Sequence, residues 1–65
     1  MNNAQKLRKL YKKTQNDISD IINYPKPLYA AFEQDKIKLP ENKLIMLSRY
    51  YNVSVDYLIS RTNEK

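Results

Sequence analysis

The chain of 65 residues contains no glycine, so every sharp turn has to be made by another type of residue. Short helices often end at a residue with left-handed backbone angles, which glycine adopts at least cost. Asparagine and aspartate are the residues with side chains that reach these angles most readily. We therefore expect turns at Asn23, Asp35 and Asn52, each of which follows a stretch with helical periodicity.

Apolar residues recur with helical spacing in five segments, and no segment alternates as a strand does. The first helix is predicted from about residue 3 to 12, and Pro40 is placed to open the fourth. Ser54 is placed to cap the fifth, in which Tyr57, Leu58 and Ile59 pack inward or onto a partner. The inward positions predicted for the first and fourth helices are Ala4, Leu7, Leu10, Tyr11, Leu44, Leu47, Ser48 and Tyr51.

The stretch from Thr14 to Glu33 predicts two short helices joined by a tight turn, an arrangement that can place one helix in a DNA groove. Thr14 is placed to cap the first of them, with Asp17 as a capping-box partner. Pro25 or Pro27 suits the first turn of the other helix. The apolar positions predicted on these two helices are Ile18, Ile21, Ile22, Leu28, Tyr29 and Phe32.

Length and composition exclude several classes of protein. Sixty-five residues suffice for one small domain, predicted over residues 1–65 with a frayed tail at 61–65, and so small a core makes dimerisation a plausible source of stability. The chain lacks cysteine and histidine, and its carboxylates form no acid–base pair, so we expect neither an enzyme nor a metal or cofactor site. Without a signal peptide or a membrane-spanning stretch, the expected location is cytoplasmic.

Positive charge is concentrated near the start of the chain. The formal net charge is +5, and the first helix carries Lys6, Arg8, Lys9, Lys12 and Lys13. A field of this sign favours a polyanionic partner. In isolation such a run is more often the solvated face of an amphipathic helix, but the two-helix pattern that follows it favours the polyanion.

Three features of the sequence together resemble the Cro and C1 repressor-like (XRE-type) helix-turn-helix family of bacteria and phages. They are the segment TQNDISDIIN, the glutamate Glu33 closing the third helix, and the ending YYNVSVDYLISRTNEK, which is especially similar to small low-GC Gram-positive regulators. The resemblance covers about residues 7–62. It implies an all-α fold, a compact five-helix lambda-repressor-like domain whose helix-turn-helix spans about residues 14–34.

The resemblance also implies roles for particular residues. Gln15 matches a glutamine that usually holds a phosphate, and by its chemistry it is an exposed amide at a helix N-terminus, suited to that task. Lys36 and Lys38 lie in a loop that often touches the DNA backbone. Ser19 stands where the family usually has alanine, as a small core residue. Glu33 matches a glutamate that more often braces the scaffold than contacts DNA.

The third helix departs from the family pattern, which presents polar side chains to base edges. Lys26 alone can donate a hydrogen bond there, so base readout would rest on this lysine, on apolar contact with thymine methyl groups and on DNA shape. Lys13 replaces an apolar residue that usually precedes the second helix. The predicted DNA-contacting residues are Gln15, Lys26, Pro27, Leu28, Ala30, Ala31, Gln34, Lys36 and Lys38.

Two functions are compatible with this sequence. The first is a DNA-binding transcriptional regulator, expected to be a homodimeric repressor that inserts its third helix, Lys26 to Gln34, into the major groove of double-stranded DNA. Its dimer would use the fifth helix with Tyr50 or Tyr57, although these tyrosines could equally fill the core. The alternative is a protein-binding module, an antirepressor or inhibitor, that docks a protein partner through the apolar face of the third helix.

Overall fold

The computed structural model describes residues 2–60, and these form five helices. They are α1 (Asn3–Leu10), α2 (Gln15–Ile21), α3 (Lys26–Glu33), α4 (Glu41–Tyr51) and α5 (Val55–Ile59). The described residues contain no strand, and the predicted all-α fold class is confirmed. The frayed tail predicted at residues 61–65 lies outside the described residues.

Four helices end in the same type of left-handed turn. The predicted residues Asn23, Asp35 and Asn52 have φ values of 55°, 64° and 59°. A fourth, Lys12, has a φ of 58° and ends α1 earlier than the sequence predicted. In each turn, the left-handed residue donates to the carbonyl three residues back and its successor donates to the carbonyl five residues back, at 2.9–3.2 Å. This paired bonding is how a helix commonly terminates, here without any glycine.

Helix starts are fixed by local side chains. Three helices have side-chain caps, which are Asn2, Thr14 and Ser54. The Thr14 hydroxyl accepts from the Asp17 N–H at 3.0 Å, and the Asp17 carboxylate accepts from the Thr14 N–H at 3.0 Å, so the predicted capping box is confirmed. α3 and α4 begin directly after Pro25 and Pro40 without side-chain caps.

The core collects one face from every helix. Its buried apolar members are Ala4, Leu7, Ile18, Ile22, Tyr29, Phe32, Leu39, Leu47, Tyr51 and Leu58. Leu44, Tyr50 and Tyr57 are partly buried against it, so the predicted inward face of α4 is confirmed. In α5, Leu58 faces inward while Ile59 is 46% exposed.

Three predicted inward positions are wrong. Leu10 is 66% exposed, Tyr11 45% and Ile21 40%. Leu10 and Tyr11 lie where α1 ends, beyond the turns that the neighbouring helices cover, although the Tyr11 ring still contacts those of Tyr50 and Tyr51. On α2 the buried stripe runs through Ile18, Ile22 and the small Ser19, and at about 100° per residue this places Ile21 beyond its edge.

The first asparagines of the chain tie α1 to the ends of two other helices. The Asn2 amide donates to the carbonyl of Phe32 at 2.9 Å, near the end of α3. The Asn3 amide donates to the carbonyl of Tyr57 at 2.9 Å, and the Asn3 N–H donates to Ser60 at 2.8 Å, at the end of α5. Both asparagines are buried. The Phe32 and Tyr57 carbonyls also accept from the Asp35 and Ser60 N–H groups in the turns that end α3 and α5, so the asparagine amides are second donors to these carbonyls.

Candidate nucleic-acid interface

α2 and α3 pack against each other through buried faces, and this packing decides which side of α3 faces outward. α3 buries Tyr29, Phe32 and Glu33. α2 contributes Ile18 and Ile22, both fully buried. Ser19 is 3% exposed and its hydroxyl donates to the Asn16 carbonyl at 2.9 Å, as a small core residue should.

The outward side of α3 begins with three exposed residues, Lys26, Pro27 and Leu28. Leu28 is 42% exposed, although its helical spacing with Tyr29 and Phe32 had grouped it with the apolar stripe. Ala30 and Ala31, also predicted to contact DNA, are partly exposed. Gln34, at the end of the helix, is exposed.

Glu33 is the centre of a buried polar network at the base of α3. Its side chain is fully buried and accepts from Arg8 through two bonds, Nε to Oε2 at 2.8 Å and Nη2 to Oε1 at 3.1 Å. The Gln15 amide donates to the same Oε1 at 3.1 Å. One carboxylate therefore joins the first residue of α2 to α1 and α3, which agrees with the bracing role implied for Glu33.

Arg8 completes this network from α1. Its Nη1 donates to the carbonyl of Lys13 at 2.9 Å, in the junction between α1 and α2. The hydrogen bonds that Arg8 donates to Glu33 raise the pKa of Arg8 above its ordinary value, so the guanidinium keeps its charge. Lys13 itself is exposed, and its backbone rather than its side chain is what this junction uses.

Gln15 is not the free amide that the sequence predicted. It is partly buried, and one amide hydrogen is directed to Glu33. A glutamine amide carries two hydrogens, so a second donor remains for another acceptor. The bond to Glu33 holds that donor in a fixed position at the N-terminus of α2.

The lysines around α3 differ from Arg8 in being exposed. Lys36 and Lys38 are exposed in the segment between α3 and α4. The exposed lysines in and just after α1 are Lys6, Lys9, Lys12 and Lys13. The basic run therefore divides into one arginine used inside the fold and four lysines that contribute to the surface field.

Sequence reasoning missed Arg8, Asn2 and Asn3 as structural residues. The sequence groups Arg8 with the lysine run, because no neighbouring residue indicates a buried partner. Its partner Glu33 lies 25 positions away, and the partners of both asparagines are also distant in sequence. The one available signal was that Arg8 is the single arginine in a run otherwise made of lysines.

The described part of the chain shows neither a metal-binding cluster nor a membrane-spanning helix. Residues 2–60 contain no group of three histidine, cysteine, aspartate or glutamate side chains placed to hold a metal ion. None of their helices combines the length and apolar character required to cross a membrane.

The chain is similar to one known protein family and to two bacterial proteins. A family model described as helix-turn-helix matches residues 5–58. Two similar proteins of Bacillus subtilis (strain 168) are named as uncharacterised HTH-type transcriptional regulators. YobD is 37% identical over 60 residues, covering 92% of this chain and 54% of YobD. YqaE is 36% identical over 64 residues, covering 97% of this chain and 55% of YqaE. The chain thus spans about half the length of these curated relatives, and no solved structure matches it significantly.

Proposed function

Since the chain belongs to the helix-turn-helix family, a family of DNA-binding transcription regulators, we propose that it binds double-stranded DNA with α3 in the major groove. In this role it regulates transcription of a phage or bacterial operon, as a repressor, from the cytoplasm. The two relatives are named as regulators and support this role. The proposal includes no catalytic activity.

The observation that carries the proposal is the exposed start of α3 on an otherwise anchored helix. Tyr29, Phe32 and Glu33 fix the inner side of α3 in the core. Lys26 and Leu28 lie exposed on the outer side, where they do not contribute to the core. An exposed helix N-terminal turn on a rigid support is what reading a DNA groove requires.

Phosphate contacts come from residues on both sides of α3. Gln15 offers its second amide hydrogen and the N-terminus of α2, while Lys36, Lys38 and Gln34 follow α3. The lysines of α1 add to the field without a defined contact. Because basic groups outnumber base-reading groups, the affinity should depend strongly on salt.

We place the homodimer interface at α5. Ile59 is 46% exposed and Ile37 is 37% exposed, and both line a groove of about 410 Å³ with Leu39 and Leu44. The same groove is also lined by Asn2, Asp35, Lys36 and Lys38, so its apolar part is made by Phe32, Ile37, Leu39, Leu44 and Ile59. A two-fold interface needs one patch that complements itself, and this apolar part is the patch that we propose. Tyr50 and Tyr57 are partly buried against the core, which makes them weaker candidates than Ile59.

The protein-binding alternative receives no comparable support. Pro27 and Leu28 could enter a hydrophobic groove of a partner, but neither the matched family nor the two relatives favours that role. The exposed lysines beside α3 suit phosphate better than an apolar groove.

A fluorescence-anisotropy titration tests the proposal. Short labelled duplexes, one of random sequence and one selected in vitro for binding, are titrated at two salt concentrations. The logarithm of the affinity should fall with the logarithm of salt by a slope equivalent to about 4 to 8 released counterions per dimer. Absence of binding to both duplexes at low salt would reject the function.

A further inference from the structure

The outer side of the first turn of α3 carries hydrogen-bond donors but no acceptor. Its side chains are those of Lys26, Pro27 and Leu28, and a lysine ammonium can only donate. The partly exposed Ala30 and Ala31 add no polar group. Gln34, which could accept, lies one residue past the other end of the helix.

The backbone at this end of α3 has the same polarity. The helix has no side-chain cap and Pro27 has no N–H, so the N–H groups of Lys26 and Leu28 are left without a capping side chain at this end. The Pro25 carbonyl accepts from the Tyr29 N–H at 3.0 Å, so it is directed along the helix and away from the N-terminal end. This end of α3 therefore cannot accept a hydrogen bond from the amino group of cytosine or adenine in the major groove.

Leu28 is the apolar group in this turn with the largest exposed side chain, and it costs free energy to leave it in water. In the major groove, thymine alone among the four standard bases presents an apolar group, its C5-methyl. Cytosine methylated at C5 presents the same group at the same ring position. We propose that Leu28 is a specificity-determining residue that recognises the C5-methyl group of a pyrimidine, next to a base whose acceptors bind Lys26.

This inference rests on the proposed function and adds the chemistry of the preferred site. Guanine, with its O6 and N7 acceptors, is the base that suits Lys26 best. The preferred half-site accordingly contains a guanine next to a pyrimidine that carries a C5-methyl group. Methylation of a cytosine at the position facing Leu28 strengthens binding, so the protein responds to this modification of DNA.

The test removes single methyl groups from DNA. In the selected duplex, each thymine is replaced in turn by deoxyuridine, which lacks only the C5-methyl, and anisotropy is measured at one fixed salt concentration. At one position in each half-site, replacement by deoxyuridine should weaken binding about fourfold, which is the effect of one buried methyl group. A duplex with cytosine at that position should regain a similar factor when the cytosine is C5-methylated.

Variants assign the effect to Leu28. In Leu28→Ala, replacement of the same thymine should have little further effect, because the contact is already lost. Ile45→Ala is the matched control, since Ile45 on α4 is 39% exposed and lies outside α3, and it should keep the full effect of deoxyuridine. Far-UV circular dichroism checks that both variants keep their helices.

The possible outcomes distinguish a failure of methyl recognition from a failure of DNA binding. If no duplex binds at low salt, both fail together. If duplexes bind with the expected salt dependence but no deoxyuridine replacement matters, methyl recognition is overturned and DNA binding stands. If deoxyuridine weakens wild type and Leu28→Ala equally, the assignment to Leu28 is overturned.

Discussion

The guanidinium of Arg8 and the carboxylate of Glu33 form a two-bond ion pair between α1 and α3, at 2.8 and 3.1 Å. Glu33 is fully buried and the Arg8 side chain is only 11% exposed. Removing one partner of a buried pair leaves the other charge unpaired, which is more costly than removing both.

We therefore expect Glu33→Ala to lower the free energy of unfolding by about 3 to 5 kcal/mol, measured by urea denaturation. The double variant Arg8→Met, Glu33→Leu should lose much less, because no charge remains buried. Glu41→Ala, which removes an exposed carboxylate, serves as control and should change stability by less than about 0.5 kcal/mol. A double variant as unstable as Glu33→Ala would contradict this account.

Lys12→Gly should stabilise the protein. Lys12 has a φ of 58°, where a residue with a side chain is strained and glycine is not. Relief of this strain exceeds the extra entropy that glycine gives the unfolded chain, and we expect a net gain of about 0.5 to 1 kcal/mol. Lys12→Ala controls for loss of the charge and should give no gain. If the alanine variant has a melting temperature equal to or higher than that of the glycine variant, the explanation by backbone strain at Lys12 is wrong.

The capping box of α2 should weaken in acid. The hydrogen bond from the Thr14 backbone lowers the pKa of Asp17 below its ordinary value of 3.8. Since the folded pKa is the lower one, the stabilisation is complete above pH 3.8 and disappears as the pH falls through the folded pKa. The melting temperature of the wild type should exceed that of Asp17→Asn at pH 7, and this difference should shrink below pH 3.8. A difference independent of pH would assign it to something other than this carboxylate.

Lys26 and the lysines after α3 should differ in their effect on sequence preference. Lys26→Ala should cost about 1 to 3 kcal/mol on the selected duplex and less on a random one, because it loses a base contact. Lys36→Ala or Lys38→Ala should weaken both duplexes alike and reduce the salt slope. Lys43→Ala on α4 is the control. Equal losses for Lys26→Ala on the two duplexes would make Lys26 a phosphate contact.

Ile59→Lys should prevent dimerisation without unfolding the monomer. Ile59 is 46% exposed, so a lysine there can extend into water in the monomer but would bury a charge in the proposed interface. Sedimentation velocity should show a dimer for wild type at high concentration and a monomer for the variant. Ile45→Lys, at a similarly exposed position on α4, should leave the dimer intact. A dimer that survives Ile59→Lys would place the interface elsewhere.

Features that depend on a few neighbouring residues were predicted from the sequence. The Thr14–Asp17 capping box and the left-handed turns at Asn23, Asp35 and Asn52 each arise within one helical turn of chain. The chemistry of these residue types favours such conformations wherever they occur. This is why the five helices and the all-α class could be predicted.

Features that depend on distant residues could not be predicted in the same way. Helical spacing grouped Ile21 with Ile18 and Ile22, but the packing of α3 decides where the buried stripe ends and leaves Ile21 40% exposed. The bond of Gln15 to Glu33 joins residues 18 positions apart, so the sequence presented Gln15 as a free amide. The DNA-contacting residues, including Lys26 and Leu28, remain predictions.

The bonds that tie Asn3 to the end of α5 also bear on how the chain folds. Asn3 and Tyr57 are 54 positions apart, whereas α2 and α3 are neighbours in sequence. Closing a longer loop costs more chain entropy, so the α2–α3 pair can form early while α1 meets α5 only after most of the chain is in place. The helix pair that carries the proposed DNA-reading surface can therefore form from local contacts, whereas the α1–α5 seam needs nearly the whole chain in place.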